Sequence, residues 1–251
     1  MEGDEPAIVR FEGDRTSGAS ELARRAVHLL TRAQQSGVPA RGLEALRRRL
    51  ARAHPTMAAV WNAAHAPNPQ QFLRGMQIGW RRVARAARRL LPRSGTIITC
   101  SYSATVLEAL RGSQARVVVA ESRPGGEGAR TVRRLRTGGT TATVIPDAAV
   151  GQWAVTAEAV ILGADAVTPR GVINKVGSRL LALAAKAERT PCYVVADTSK
   201  FAWRLARFPL PALGPGALFE YVELDLIRRV ITEHGALTRL QVRRRLRAVP
   251  F

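Results

Sequence analysis

Five short apolar runs in the second half of the 251-residue chain are each followed by side chains that can hold anions or move protons. The groups after the runs are, in chain order, Cys100, Ser101 and Ser103; Glu121, Ser122 and Arg123; Asp147; Asp165; and Asp197, Ser199 and Lys200. If the runs are parallel strands, these groups lie along one edge of a sheet, where open α/β sheets bind ligands. Serine and aspartate also cap helices, so capping alone could explain Asp147 or Asp197. The convergence of five sets predicts a ligand site at this edge.

Lysine is rare in this chain, which makes its positions informative. Of 39 basic residues, all are arginine except Lys175, Lys186 and Lys200. Lys186 falls on a predicted helix surface. Lys175 follows Asn174 just before a predicted helix, and Lys200 follows the fifth run. Each of these two could bind a phosphate or carbonyl oxygen as a compact cation; retention by chance is the alternative.

The spacing of apolar residues divides the chain into two parts. From about residue 20 to 91, apolar positions recur every three to four residues, which predicts helices over 20–37, 43–53 and 69–91. Ser20 could cap the first helix, Gly37 could end it, and Pro55 interrupts the pattern. The sequence thus predicts a helical domain over 1–92.

After Gly95 the periodicity changes to short apolar runs that alternate with helical segments. The runs lie at 96–99, 117–120, 143–145, 160–162 and 193–196, and the helical segments at 104–111, 128–136, 148–154 and 176–188. Such alternation predicts a parallel sheet with crossover helices. The predicted fold is α/β, with an amino-terminal helical part followed by a Rossmann-like parallel sheet with flanking helices over 93–251.

Composition restricts the class of protein further. With 46% apolar residues the chain can fill a core, and the net charge of +20 comes from arginines dispersed over predicted helices, which favours no specific nucleic-acid site. No window approaches the roughly 18 apolar residues of a membrane span, and the first six residues are acidic, unlike a signal peptide. We therefore expect a cytoplasmic protein without membrane contact. Cys100 and Cys192 show no disulfide or metal-binding spacing, and we expect neither metal nor cofactor.

Two adjacent segments around Asp165 resemble the signature of a known superfamily. They are Gly163-Ala164-Asp165-Ala166-Val167 and Gly171-Val172-Ile173-Asn174-Lys175-Val176-Gly177. The superfamily joins the regulatory alpha, beta and delta subunits of translation initiation factor 2B with methylthioribose-1-phosphate isomerase and ribose-1,5-bisphosphate isomerase. Further similar segments span roughly residues 8 to 245, namely Gly18-Ala19, Glu121-Ser122-Arg123-Pro124, Asp147-Ala148-Ala149-Val150-Gly151, Ser199-Lys200-Phe201 and Ile231-Thr232-Glu233.

The resemblance implies a site between the two parts of the chain, in a homodimer or larger homo-oligomer. The isomerases convert a sugar 1-phosphate to a ketose phosphate, and the aspartate that matches Asp165 would protonate the ring oxygen and later manage the product carbonyl. Asn174 and Lys175 would orient hydroxyls and phosphate. Arg123 would clamp a phosphate, Lys200 would add a cation, and Gly18 belongs to a phosphate-binding segment.

Two departures from the isomerase pattern fall at this site. Ser101 stands in the slot of the catalytic cysteine, and Cys100 lies one residue early, where strand alternation could aim its thiol away from the ligand. Ser17 replaces the arginine that usually precedes Gly18. Two hypotheses follow. The chain is a ribose-1,5-bisphosphate isomerase-like enzyme, or it is a non-catalytic regulatory protein of the initiation factor 2B type that binds a phosphorylated sugar or nucleotide.

Overall fold

The computed structural model describes residues 5–203, 208–211 and 213–247. Its amino-terminal part is helical, with α1 to α5 at Glu5–Gly13, Ala19–Gln35, Ala40–Ala53, Ala58–His65 and Pro69–Leu90. α2 buries Leu22, Ala26 and Leu30, which recur at helical spacing. α4 packs against α2 and α3 at the centre of this part. α5 begins after Asn68, whose side chain accepts a hydrogen bond from the backbone N–H of Gln71 at 2.9 Å.

This part differs from the sequence prediction in two ways. Periodicity does not indicate α1 or α4, because α4 is short and buried nearly all round and so has no polar face. The prediction that Ser20 caps α2 is wrong, since Gly18 occupies the N-cap and the helix begins at Ala19.

The second part is built on a mostly parallel sheet, as predicted. Its described strands, with those of a smaller sheet, are β1 Thr96–Thr99, β2 Arg116–Ala120, β3 Ala142–Ile145, β4 Ala157–Leu162, β5 Ala166–Val167, β6 Val172–Lys175, β7 Cys192–Val195, β8 Phe219–Val222, β9 Arg229–Thr232 and β10 Gly235–Leu237. The order in the large sheet is β10-β9-β7-β4-β1-β2-β3, and β10 is the antiparallel member. The five predicted strands are its parallel core.

Helices cover both faces of the large sheet, because alternate side chains of each strand point to opposite faces. They are α6 Ala104–Leu110, α7 Glu127–Thr137, α8 Val150–Ala154, α9 Ser178–Ala187 and α10 Arg239–Arg245. Ile97 packs with α5, α6 and α7 on one face, and Ile98 packs with α8, α9 and α10 on the other. Because α5 belongs to the helical part yet covers the sheet, apolar contacts cross the predicted domain boundary at 92/93. The boundary itself stays a prediction.

A small antiparallel sheet, in the order β5-β6-β8, is absent from the sequence prediction. Asn174 and Lys175 end β6, and α9 begins at Ser178 after Gly177, so the predicted helix start at 176 is two residues early. Within the described ranges, no helix has both the length and the apolar content needed to cross a membrane.

Candidate functional site

A cavity of about 710 Å³ opens between the helical part and the carboxyl ends of β1 and β4. Its wall includes residues from the segment before α2, from the loop before α4, from the turns after β1 and β4, and from β6. Most of the predicted site residues line it: Gly18, Cys100, Ser101, Asp165, Asn174, Lys175 and Lys200. The cavity floor therefore takes residues that follow β1, β4 and β7, whereas the predicted residues Glu121, Ser122, Asp147, Asp197 and Ser199 do not line it.

The backbone of Asp165 is fixed from both parts of the chain. Its N–H donates to the carbonyl of Ile173 at 2.8 Å, and its carbonyl accepts from the N–H of Ala58 at 3.0 Å. Two residues earlier stands Gly163, where a Cβ would lie 2.7 Å from the hydroxyl oxygen of Ser103. Only glycine permits this close approach of the two loops.

The carboxyl group of Asp165 has a shifted pKa. Burial raises its pKa to about 6, although Lys200 and then Lys175 oppose the rise. No hydrogen bond from the described part of the chain reaches its carboxylate oxygens. A carboxyl group with a pKa near neutrality can both give and take a proton, as a general acid–base catalyst requires.

Lys175 and Asn174 have partners inside the protein. The Nζ of Lys175 lies 2.7 Å from Oε1 of Glu127, the first residue of α7. Asn174 donates to the hydroxyl of Ser178 at 2.9 Å, and both residues are buried. The sequence prediction assigned no role to Glu127, so an anion bound by Lys175 would have to compete with a carboxylate already present.

The thiol of Cys100 is buried and lies 3.4 Å from the hydroxyl of Ser178. Burial raises its pKa to about 12, so the thiolate is rare at neutral pH. Cys100 and Cys192 are both free, as the sequence predicts.

Ser101 has a left-handed backbone conformation, with φ of 60°. Its N–H donates to the hydroxyl of Ser122 at 2.6 Å, and its carbonyl accepts from the hydroxyl of Thr131 at 2.7 Å. The N–H of Ser122 donates in turn to Asp147 at 2.7 Å. Ser122 and Asp147 thus support the backbone of Ser101, and neither lines the cavity.

The segment before α2 forms the opposite wall. Asp14 accepts hydrogen bonds from the N–H groups of Thr16 and Ser17 at 2.8 Å, and its Oδ2 lies 2.7 Å from Arg25. Burial opposes ionisation of Asp14, yet the hydrogen bonds from Ser17 and Thr16 hold its pKa well below the usual range. The resulting turn presents Gly18 and the amino terminus of α2 to the cavity.

Arg123 is not among the residues that line the cavity. Its side chain is largely exposed and lies 3.3 Å from Glu121, so its role as a phosphate clamp stays a prediction. Arg130, which the sequence prediction missed, does line the cavity, with its guanidinium 3.9 Å from the centre of the Tyr102 ring. Arg130 lies three residues after Glu127 and so on the same face of α7. This spacing could have predicted from the sequence that Arg130 lies near Glu127.

The chain belongs to the initiation factor 2 subunit family, whose family model matches residues 64–208, more than half of its length. It is 34% identical over 235 residues to a putative translation initiation factor eIF-2B subunit 2-like protein of Pyrococcus horikoshii, covering 86% of this chain and 82% of that one. It is also 33% identical over 138 residues to the ribose 1,5-bisphosphate isomerase of Archaeoglobus fulgidus, covering 53% of this chain and 44% of the isomerase. Relatives of both functional classes are therefore found.

The crystal structure of the translation initiation factor eIF-2B of P. horikoshii OT3 has the same fold. The two structures superpose with a TM-score of 0.84 at 30% identity, over 94% of this chain and 97% of that one. The family resemblance drawn from the segments around Asp165 is thereby confirmed.

Proposed function

We propose that the cavity binds a phosphorylated sugar and that the protein is an aldose–ketose isomerase acting on a sugar 1-phosphate, similar to ribose-1,5-bisphosphate isomerase. One observation carries the proposal: the carboxyl group of Asp165, with a pKa of about 6, lies at the cavity floor within the field of two buried lysines. The isomerisation needs a group that can both give and take a proton near neutral pH, and it needs cations beside that group to hold the phosphate.

In the proposed reaction Asp165 carries a proton through one cycle. Its acid form donates a proton to the ring oxygen as the bond from that oxygen to C1 breaks. The hydrogen on C2 moves to the electron-deficient C1 as hydride, with the electron pair of the C2–H bond, and the carboxylate takes the proton from the C2 hydroxyl as the C2 carbonyl forms. Asp165 ends in the acid form in which it began.

The surrounding groups would hold the substrate in place. Lys200 has no carboxylate within 4.0 Å in the described part of the chain, so no acidic partner competes with a phosphate there. Asn174 and Lys175 would orient hydroxyls and phosphate beside it. Arg130, at the wall formed by α7, and Gly18, at the amino terminus of α2, suit a second anionic group, and Arg123 remains a further candidate.

The experiment is ketose formation from ribose 1,5-bisphosphate and from methylthioribose 1-phosphate, followed by NMR. We expect Asp165→Asn to lose about 100-fold or more in turnover while keeping most of its affinity for the substrate. Asp225→Asn, which changes an exposed aspartate paired with Arg239, is the matched control and should turn over normally. Normal turnover by Asp165→Asn would show that Asp165 is not the proton carrier.

A non-catalytic regulatory protein is the second candidate, and the state of Cys100 favours it. Its thiol is buried, with a pKa of about 12, and Ser101 occupies the slot where the isomerases carry their cysteine. A wild type that binds either sugar phosphate in calorimetry, yet forms no ketose from them, would support this candidate over the isomerase for these substrates.

The resemblance also leads us to propose that the protein acts as a homodimer or larger homo-oligomer. Sedimentation velocity at micromolar concentration should give at least twice the 27.2 kDa mass of one chain. A monomer under these conditions would contradict the proposal.

A further inference from the structure

Lys200 and Asp197 are buried charged residues whose polar atoms are incompletely paired. Lys200 is 5% exposed and Asp197 is 1% exposed. No carboxylate oxygen of the described residues lies within 4.0 Å of Nζ of Lys200. Oδ2 of Asp197 is buried without a hydrogen-bond partner in the same part of the chain. Burying a cation and a carboxylate oxygen without a direct partner costs free energy. This cost suggests that keeping the two groups apart serves a function.

The ammonium group of Lys200 acts on two carboxyl groups at once. Burial raises the pKa of both Asp165 and Asp197, and Lys200 is the leading opposing influence on each. Lys200 lines the same cavity as Asp165 and lies in the short turn that Asp197 caps, so the cation is near both carboxyl groups while no described carboxylate oxygen lies within 4.0 Å of it. Direct pairing with Asp165 would neutralise the cation and lower the pKa of the proposed proton carrier.

Asp197 is held firmly in its place. Its Oδ1 accepts hydrogen bonds from the hydroxyl of Ser199 and, at 3.1 Å, from the N–H of the same residue. On the other side α5 packs closely, since a Cβ added to Gly79 would lie 3.3 Å from Cβ of Asp197. Asp197 also caps the short turn Thr198–Lys200, which carries Lys200. A fixed carboxylate can set the position of a flexible lysine.

We propose that Asp197 is a positioning residue that draws the ammonium group of Lys200 away from Asp165, so that the cation stays available to a ligand phosphate. This inference rests on the proposed function of the cavity as a phosphate site. Titratable and charged groups around the three residues include Cys100 and Tyr102 after β1, Glu127 and Arg130 on α7, Lys175 on β6 and Glu233 after β9.

The first test measures Asp165 in the protein without ligand. Carboxyl ¹³C resonances of labelled aspartate are followed against pH, and the resonance of Asp165 is assigned from Asp165→Asn. In Asp197→Asn, which keeps the acceptor for Ser199 but removes the charge, we expect the titration midpoint of Asp165 to fall by about one pH unit or more from its value near 6. An unchanged midpoint would overturn the proposal.

Glu233→Gln is the matched control. Glu233 accepts hydrogen bonds from the N–H of Thr198 at 3.1 Å and thus supports the same turn. We expect it to leave the midpoint of Asp165 in place. Equal shifts in Asp197→Asn and Glu233→Gln would mean a general structural role and would overturn the proposal. As a second variant, Lys200→Met should raise the midpoint, and no rise would show that Lys200 is not the cation concerned.

The second test uses calorimetry with ribose 1,5-bisphosphate at pH 7.5. We expect Asp197→Asn to bind about tenfold more weakly than wild type, and Glu233→Gln to stay within about twofold. Equal affinity of Asp197→Asn and wild type would overturn the proposal. If the wild type does not bind ribose 1,5-bisphosphate, the proposed function fails for this ligand. The NMR titration without ligand then still tests the position of Lys200.

Discussion

The ion pair between Lys175 and Glu127 allows a quantitative test of how the cavity floor is built. The two atoms lie 2.7 Å apart, and the side chains are 9% and 25% exposed. Removing one partner of a buried pair typically costs about 3–5 kcal/mol, because the other charge stays buried. Lys175→Met should approach that cost, since Oε2 of Glu127 already lacks a partner in the described structure. Glu127→Gln keeps an acceptor for the lysine and should cost about 1–3 kcal/mol.

A double-mutant cycle isolates the interaction between the two residues. We expect the double variant to be more stable than the sum of the single losses by about 2–3 kcal/mol, measured by urea unfolding at pH 7. The control is the same cycle on Glu44 and Arg48, which lie 3.3 Å apart with both side chains 53% exposed. Exposed pairs of this kind contribute about 0.3–0.5 kcal/mol.

Equal coupling in the two cycles would refute the reasoning, because it would mean that burial does not strengthen the pair at the cavity. If the buried pair is strong, a phosphate that binds Lys175 must share its ammonium group with Glu127. Lys200, which has no carboxylate within 4.0 Å among the described residues, would hold a phosphate without such competition.

Three further predictions concern the same site. Gly128→Ala should lower the free energy of unfolding in urea by about 3 kcal/mol or more, because the new Cβ would lie 2.2 Å from a backbone oxygen of β2. The control is Gly151→Ala, whose Cβ meets open space and which should change stability by less than about 1 kcal/mol. Equal effects of the two substitutions would contradict this packing argument. The raised pKa of Asp165 means that the folded protein binds a proton more tightly than the unfolded chain, so stability should fall by about 2–2.5 kcal/mol from pH 4 to pH 7 on this account. Asp165→Asn should remove that part of the pH dependence in urea unfolding, and an unchanged profile would refute it. Arg130→Met should weaken binding of ribose 1,5-bisphosphate about tenfold in calorimetry, and Arg123→Met less than about twofold; the reverse order would restore Arg123 as the clamp.

The site combines side chains that lack a polar partner in the described structure with side chains already paired within the protein. The carboxyl group of Asp165 and the ammonium group of Lys200 have no direct polar partner in the described residues, whereas the thiol of Cys100 and the ammonium group of Lys175 do. This division suits a phosphate and a proton carrier at the floor of the cavity. The same division is compatible with both proposed functions, an enzyme and a binding protein.

The sequence by itself determined the local structure and the edge where the site lies. The apolar runs and helical spacing are local patterns, so the parallel strands and most of their helices follow from them. The segments around Asp165 identified the family. Predicted strand ends fall within a few residues of the observed ones, because strands buried on both faces read as continuous apolar runs that stop where the strand stops. The small sheet was missed because β5 has only two residues and because β6 pairs with β8, which lies more than forty positions away in the chain.

Only the tertiary structure decided which side chains meet. Glu127 and Lys175 are 48 positions apart, and nothing in local spacing brings their charged atoms to 2.7 Å. The orientation of Arg123 away from the cavity and of Arg130 towards it depends on how α7 packs on the end of β2. Burial raises the pKa of Asp165, and the N–H of Ala58 in the helical part bonds to the carbonyl of the same residue across more than one hundred positions of the chain. These properties depend on distance and solvent exclusion between remote segments, which packing alone establishes.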